Sequence, residues 1–557
     1  MLDRRTLIAM GLGAFGAAAV DPLVAALAAG QGLDVALINA TVWTGRAGAR
    51  REAAVGIVGN RVAAVGGAAV KARITRATRV IDCKGAFVMP AFTDNHTHFR
   101  RGAVTLAQPD LLSSKDRADF VARIGAAAKA RPGKWILGGT WDEQRLGGQL
   151  PTHDWIDAVT PDTPVAVPRT DLHSYFLNAL ALKLAGIRRD TPDPAGGEIV
   201  RDAQGNPTGV VKDNAKALVD RVVPPPSDEE TDAAMRGGIA HGLSKGVAQA
   251  HNPEIDWDTY HSLRRLRAKG PTGMRFYAFV PAVDWQKMVA IVKAEGRGDD
   301  WLRWGAIKAL GDGSLGSRTA VFREPYTDAP GQTGVRVTSL ADLREWIGGA
   351  DAAGLHVATH AIGDRMNDEI LDIYADVARA NGPKDRRFRI EHAQHLSQAA
   401  IPRFAKQSVI ASVQPYHAID DGRWAVKRIG EARLKGTYAF KALMDTGAKV
   451  TFGSDWPVAP LDPLTGVYAA VTRRLIDGTH PDGWLPDQKV TVEQALTAYT
   501  ATNAYAGFME DRSGVIAPGY LADITVLDRD LTAIDPVTIL QAKVLHTFVD
   551  GQEAYAG

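Results

Sequence analysis

The chain has a single cysteine among 557 residues, Cys83, which excludes an intramolecular disulfide and any metal site built from several thiolates. A bound metal would therefore need histidine, carboxylate or modified lysine ligands. Cys83 ends the apolar stretch 80–83, a setting that favours a small buried residue over a reactive thiol.

The sequence also lacks an excess of charge of either sign. Lysine and arginine total 65 against 63 aspartate and glutamate residues, a formal net charge of +2, and no basic stripe stands out. Nucleic-acid binders normally carry such a stripe or a basic excess, so nucleic acid is not the expected partner. The charge balance favours a small, roughly neutral substrate, and homo-oligomerisation is left open.

No apolar run is long enough to span a membrane. The run at residues 7–20 is shorter than the roughly 20 residues that a membrane-spanning helix needs. It follows Arg4 and Arg5 and precedes a small-x-small pattern at 26–28, which is typical of a twin-arginine export signal over residues 1–30. We therefore expect a periplasmic or secreted protein without a stable membrane anchor.

Length and an ordinary globular composition, 45% hydrophobic and 23% charged, predict a large domain with at least one smaller one. Short apolar strands with close turn signals fill residues 34–88, and similar strands lie at 522–527 and 545–549. Together these segments predict a small β-sandwich composed of residues 31–88 and 505–557.

Between the sandwich segments, short apolar runs alternate with helical stretches, as in an α/β fold of the (β/α)₈ TIM barrel type. We place the barrel at residues 89–504. Its first two strands are too far apart for one connecting helix, which predicts an inserted domain at about 105–235. The predicted strands end near Asp94, Ala250, Val280, Leu310, His360, His392, Gln414 and Asp455.

Polar side chains follow several of these strand ends, which is where barrel active sites form. His96 and His98 face one side of an extended chain, so both imidazoles can reach one ion. Taken singly, such residues have ordinary alternatives, namely a surface pair, a hydrogen-bonded core histidine or a helix cap. These ordinary alternatives do not explain why six such residues all lie at predicted strand ends, namely His96, His98, Lys308, His360, His392 and Asp455.

Lys308 stands inside the apolar run 306–310. Because burial of an unpaired ammonium is costly, this lysine has to be neutralised, paired or modified. A side chain that reaches outward to solvent, or that pairs with Asp312, is the alternative to a modified one.

Several short segments carry a family resemblance: VMPAFTDNHTH at 88–98, IK at 307–308 with DGSLGSR at 312–318, THAIGD at 359–364, IEHAQ at 390–394, GSD at 453–455 and PGYLAD at 518–523. The chain resembles the amidohydrolase superfamily, specifically the amidohydrolase family 3 branch that includes N-substituted formamide deformylases. One departure is Ala91, where the family usually has glycine. It affects a tight turn and no ligand.

The resemblance implies two divalent metal ions, with zinc the expected metal. His96 and His98 would hold one ion, and His360 and His392 the second. A carboxylated Lys308 would bridge the two ions. His395, three residues beyond His392, is left out of the ligand set.

The implied reaction is hydrolysis of an amide-type C–N bond by a water molecule activated at the metal. The bond would be that of an N-acyl or N-formyl group. Asp455 would bind metal and act as the base. Deamination, lactone or ester hydrolysis on the same site, and an inactive structural relative, are the alternatives. The ligand set is complete, which argues against the inactive relative.

Four further residues are candidates for substrate binding. The resemblance places His173 at the pocket mouth, where it could supply a donor for the developing oxyanion. Trp141, Gln414 and Trp456 are pocket-lining candidates on similar grounds. A structural histidine and plain core residues are the alternative interpretations.

Overall fold

The computed structural model describes residues 32–46, 48–49, 51–111, 113–146, 148–169 and 174–557, with the side chains of all except 144 and 145. The chain forms two compact units. Unit 1 contains the described residues up to His98 together with Ile239–Gly557, and unit 2 is Phe99–Gly238.

The centre of unit 1 is a sheet of eight parallel strands that follow one another in chain order, apart from the insertion of unit 2 after the first. The strands are β7 (Phe92–Asp94), β12 (Val247–Pro253), β13 (Arg275–Pro281), β14 (Leu302–Leu310), β15 (His356–Ala361), β16 (Arg389–His392), β17 (Ile410–Val413) and β18 (Val450–Phe452). Beyond the strand ends, the amide of Asn95 donates to the Phe452 carbonyl at 3.3 Å, and Thr97 bridges Trp456 in parallel. These contacts nearly close the sheet into a barrel, and the predicted TIM-barrel fold class is confirmed.

The barrel strands are buried because helices cover a parallel sheet from outside and side chains fill its interior. All seven residues of β12 are buried, and β14 is buried from Trp304 to Ala309. The helices of unit 1 after the first barrel strands are Asp258–Ala268, Trp285–Glu295, Leu340–Ala352, Asp364–Ala380, Ile401–Lys406, Pro415–Asp421, Ala425–Ile429, Phe440–Asp445, Pro463–Thr472, Val492–Tyr499 and Ala501–Ala506.

Sequence chemistry sets the ends of these helices. Ser339 caps Leu340–Ala352 by accepting the amide of Asp342 at 3.1 Å. Thr491 and Gln494 form a reciprocal capping box at the start of Val492–Tyr499. The helix Asp228–Ser244 contains the chain boundary between the units, and short 3₁₀ helices lie at Glu143–Leu146, Asn214–Lys216, Ala282–Asp284, Glu431–Gly436, Pro486–Gln488 and Pro536–Gln541.

Two further sheets of unit 1 pack together as a β-sandwich. Their strands are β1 (Val35–Ile38), β2 (Thr41–Val42), β3 (Val55–Val58), β4 (Arg61–Val65), β5 (Arg79–Asp82), β6 (Phe87–Pro90), β19 (Ile524–Leu527), β20 (Val544–Val549) and β21 (Gln552–Ala556). One sheet has the order β4-β3-β1-β5, and the other, β2-β6-β19-β20-β21, combines both ends of the chain. Cys83 is buried in their common core, where burial raises the pKa of its thiol to about 11.

The sandwich positions the first barrel strand. Strand β6 pairs antiparallel with β19, and only Ala91 separates it from β7. The short helix Gly67–Lys71 follows β4. Among the described residues, no helix has the length and apolar character needed to cross a membrane.

Unit 2 has its own antiparallel sheet, in the order β10-β11-β9-β8. The strands are β8 (Ala166–Pro168), β9 (Ser174–Leu177), β10 (Gly197–Arg201) and β11 (Pro207–Asp213), and the helices are Phe99–Leu106, Arg117–Ala130, Asp154–Asp157, Ala179–Leu184 and Ala217–Asp220. A core that includes Phe120, Trp141 and Phe176 supports this unit.

Candidate metal centre

His96, His98 and Asp455 lie together at the carboxyl end of the barrel. The two histidines follow β7, and Asp455 follows β18 with a left-handed φ of 62°, which aspartate tolerates. The Asp455 amide donates to the His96 carbonyl at 2.6 Å, which joins the two segments. Asp455 Oδ1 lies 3.5 Å from His96 Nε2 and 3.2 Å from His98 Nε2.

This spacing fits a divalent cation. Two ligand atoms about 2.1 Å from a tetrahedral zinc ion lie about 3.4 Å from each other. In the described part of the chain, His96 Nε2 and Asp455 Oδ1 are buried and have no hydrogen-bond partner. Because buried polar atoms are normally satisfied, a cation held between these two atoms would supply the partner that each of them lacks.

The other two predicted histidines stand beside the first pair. The His392 ring lies 4.9 Å from the His96 ring and 4.5 Å from the His360 ring, centre to centre. Four imidazoles from three strand ends therefore surround one region of the barrel mouth.

Each of these imidazoles has one ring nitrogen held by an acceptor, an arrangement that metal-binding histidines share because it fixes the tautomer and the ring orientation. The ring N–H groups donate from His96 Nδ1 to Glu391 at 2.6 Å, from His98 Nδ1 to Glu254 at 2.8 Å, from His392 Nδ1 to Gln414 at 2.8 Å and from His360 Nε2 to the Gly313 carbonyl at 3.1 Å. The opposite nitrogen of each ring is left as a lone-pair donor for a cation.

Buried charges shape the electrostatics of the site. Although burial opposes ionisation, interactions with Arg389 and His96 hold the pKa of Glu391 well below its ordinary value. In the same way, His96 and His98 hold the pKa of Asp455 well below its ordinary value against the effect of burial. Both carboxylates are therefore ionised at neutral pH.

The histidines of the first pair differ in their environment. Burial, reinforced by the charge of Lys308, lowers the pKa of His96 to about 4. Burial also disfavours a charged His98, but the nearby carboxylates of Asp455 and Glu254 raise its pKa to about 9. A bound cation would take the place of that proton on His98 Nε2.

Lys308 is 3% exposed and lies in β14 near the same group of charges. Burial lowers its pKa, while Glu391 and Asp455 act in the opposite direction. Asp312 accepts the backbone amides of Val321, Ile362 and Gly363 at 2.8–3.0 Å and lies 3.4 Å from His360 Nε2. The carboxylation of Lys308 stays a prediction.

The four substrate-binding candidates have different positions. Gln414 accepts a hydrogen bond from the His392 ring, and Trp456 stacks on His241 with 6.0 Å between ring centres. Trp141 lies in the core of unit 2, where its indole N–H donates to the Val167 carbonyl at 3.0 Å. His173 lies outside the described residues. All four substrate roles stay predictions.

Sequence reasoning missed four residues that the fold brings to the site: Glu254, Arg389, Glu391 and His417. Fully buried Arg389 and Glu391 form an ion pair at 2.8 Å, and a pair of opposite charges at i, i+2 in a predicted barrel strand was the signal for it. Ligand atoms of His417, His392 and Asp455 lie within 4.8 Å of one another, and no local sequence pattern indicated His417. His395, left out of the predicted ligand set, donates to or accepts from Thr437 Oγ1 at 2.9 Å.

Comparisons with known proteins identify the family of this chain. Residues 79–555 match the model of the amidohydrolase family. The chain is 36% identical over 544 residues to Protein LONG AFTER FAR-RED 3 of Arabidopsis thaliana (95% of this chain, 92% of that one). It is 34% identical over 495 residues to the putative amidohydrolase YtcJ of Bacillus subtilis (86% and 90%) and 27% identical over 555 residues to the N-substituted formamide deformylase of Arthrobacter pascens (94% and 98%).

Among solved structures, an uncharacterized metal-dependent hydrolase from Pyrococcus furiosus matches with a TM-score of 0.74 and 29% identity, covering 89% of this chain and 99% of that one. The fold and the site thus define a metal-dependent hydrolase. The chain belongs to the amidohydrolase family, as its sequence motifs predicted.

Proposed function

We propose that this protein hydrolyses an amide-type C–N bond, with N-formyl and N-acyl amines as the substrate class. The observation that carries the proposal is the buried Asp455 carboxylate, 3.2 and 3.5 Å from two histidines whose opposite nitrogens are already anchored. Similarity over nearly the whole chain to a protein named N-substituted formamide deformylase supports the choice of bond.

The residues that would hold metal are His96 and His98 with Asp455 at one position, and His360 and His392 at a second. Zinc suits this set of nitrogen and oxygen ligands. When bound, the metal lowers the pKa of water towards neutrality and polarises the scissile carbonyl group.

Asp455 supplies the proton transfers. An ionised carboxylate only accepts hydrogen bonds, and the lowered pKa of Asp455 keeps it ionised at neutral pH. It accepts a proton from the attacking water and returns it to the leaving nitrogen, so one group serves as base and then as acid. Its left-handed backbone and the hydrogen bond from its backbone N–H to the His96 carbonyl hold the carboxylate in place for both steps.

We also propose that Lys308 carries a carboxyl group on its Nζ and bridges the two cation positions. A carbamate is an anion, so the modification replaces a buried ammonium that two cations would repel. The burial of Lys308, which lowers the pKa of its amine, supports this proposal, because carboxylation needs the neutral amine.

Export from the cytoplasm by the twin-arginine route completes the proposal. It rests on Arg4 and Arg5 and the apolar run that follows them, in a segment outside the described residues. A pathway that exports folded proteins suits an enzyme that takes up metal before export.

The test measures hydrolysis of a panel of compounds by zinc-loaded protein. The panel contains the formyl, acetyl and benzoyl amides of one amine, the corresponding esters, a lactone and aminoheterocycles. We expect turnover of at least one amide and a 10²–10⁴-fold loss in Asp455→Asn, which should keep much of its metal. Turnover of only the esters or the aminoheterocycles would contradict the C–N assignment. Activity of Asp455→Asn within about tenfold of wild type would contradict its role as base.

A further inference from the structure

His417 carries a buried nitrogen without a hydrogen-bond partner among the described residues. The residue lies in the helix Pro415–Asp421, directly after β17, and its side chain is 13% exposed. Across the described part of the chain, His417 Nε2 has no hydrogen-bond partner. It lies 4.0 Å from Asp455 Oδ2, and its ring is parallel to the His392 ring within 16° at 6.3 Å.

The 4.0 Å separation is too long for a hydrogen bond between His417 and Asp455. It also exceeds the spacing of about 3.4 Å for two ligands of one tetrahedral ion. The His96 and His98 nitrogens, at 3.5 and 3.2 Å from the same carboxylate, do match that spacing. The gap beside His417 therefore suits a reacting atom lying about 3 Å from both groups.

His417 also differs from the predicted ligands in the hydrogen bonding of its ring. Each of the other four imidazoles at the site has an acceptor on one nitrogen, whereas among the described residues neither nitrogen of the His417 ring has one. An imidazole without an anchor is not oriented as a metal ligand. Its Nε2–H group is available to a molecule that enters the site.

We propose that His417 is a catalytic residue that donates a hydrogen bond from Nε2 to the oxygen that becomes negative when water attacks the scissile carbonyl. This inference rests on the proposed function. Asp455 is acceptor-only, so hydrolysis needs a donor from elsewhere, and His417 Nε2 lies 4.0 Å from the carboxylate of this base. As water adds to the carbonyl carbon, its proton passes to Asp455, while the carbonyl oxygen takes the electron pair and accepts the hydrogen bond from His417.

The test compares His417→Leu, which removes the donor, with His417→Gln, which keeps an N–H group near the Nε2 position. For the best amide of the panel, we expect His417→Leu to lower kcat by about 10²–10³-fold with little change in KM, since an oxyanion donor acts mainly in the transition state. His417→Gln should stay within about tenfold of wild type. His395→Leu is the matched control, because it removes a buried imidazole that packs on Phe322 instead.

Two measurements do not depend on turnover. Zinc content should be equal in wild type and His417→Leu, and calorimetry should show that methylphosphonate, a tetrahedral oxyanion, binds His417→Leu at least tenfold more weakly. Loss of about one zinc per chain would make His417 a ligand and overturn the proposal, as would equal methylphosphonate affinity in the two proteins. If wild type hydrolyses no amide but the affinity difference is found, the donor role stands and the proposed substrate class fails.

Discussion

The carboxylate of Glu391 offers the sharpest test of how this site is built. Its oxygens accept hydrogen bonds from His96 Nδ1 at 2.6 Å, from Arg389 at 2.8 and 3.1 Å and from Ser412 at 2.5 Å. Neither Glu391 nor Arg389 is exposed to solvent. The substitution Glu391→Gln keeps the shape but removes the charge, and its NH₂ group must face at least one of these donors.

Two effects of different size follow from that geometry. Loss of the acceptor that orients a metal-binding histidine typically weakens metal affinity by about 10–100-fold. Breaking a buried ion pair costs about 3–5 kcal/mol, because the remaining charge is left without a counter-ion. We expect the lower end, about 3 kcal/mol, because the glutamine oxygen still accepts from Arg389.

Both effects are measured on Glu391→Gln at neutral pH. The pKa of Glu391 lies well below its ordinary value, so its stabilising contribution is present there and is lost only as the pH falls through that lowered pKa. Urea unfolding of the metal-free protein reports stability, and competition with a fluorescent chelator reports zinc affinity. The control is Glu369→Gln. In the wild type, the Glu369 carboxylate pairs with Arg336 and Arg365 at 2.6 and 2.9 Å near the surface.

We expect the control to change little in either measurement, because ion pairs near the surface contribute about 0–1 kcal/mol. Zinc affinity of Glu391→Gln within threefold of wild type would refute the reasoning that Glu391 prepares His96 for a cation. A lower urea midpoint without a change in zinc affinity would leave Glu391 as a structural residue only.

The remaining predictions concern the lysine and the export signal. Metal-replete wild type should bind about two divalent ions per chain. Lys308→Ala should bind less metal and lose activity, because the bridging anion is gone. Metal uptake by wild type should depend on bicarbonate, and formate should partly restore metal binding and activity in Lys308→Ala. Elemental analysis with less than about half an equivalent in wild type, or a free ammonium on Lys308 in a metal-loaded crystal, would contradict this. Replacement of Arg4 and Arg5 by lysine should leave the precursor in the cytoplasm; unchanged processing on a fractionated immunoblot would favour a general secretory signal.

The sequence by itself was enough to predict the barrel, and it also predicted residues that the fold brings together at one end of the barrel. Each predicted ligand lies near the carboxyl end of a largely buried strand or just after it, and the carboxyl ends of parallel strands meet at one mouth of a barrel. Local pattern therefore placed His96 and His98 after β7 and Asp455 after β18, far apart in the chain but together in space. The strand period and the strand ends are local properties, which is why a single sequence reveals them.

Tertiary structure alone decided which side chains support those ligands. Glu254 follows β12, yet it is bonded to His98, 156 residues earlier in the chain. His417 lies in a short helix, and only the folding of β17 beside β18 brings it to 4.0 Å from Asp455. The tautomer of an imidazole and the orientation of a carboxylate depend on partners that no nearby residue identifies, because packing and hydrogen bonding between distant segments select them.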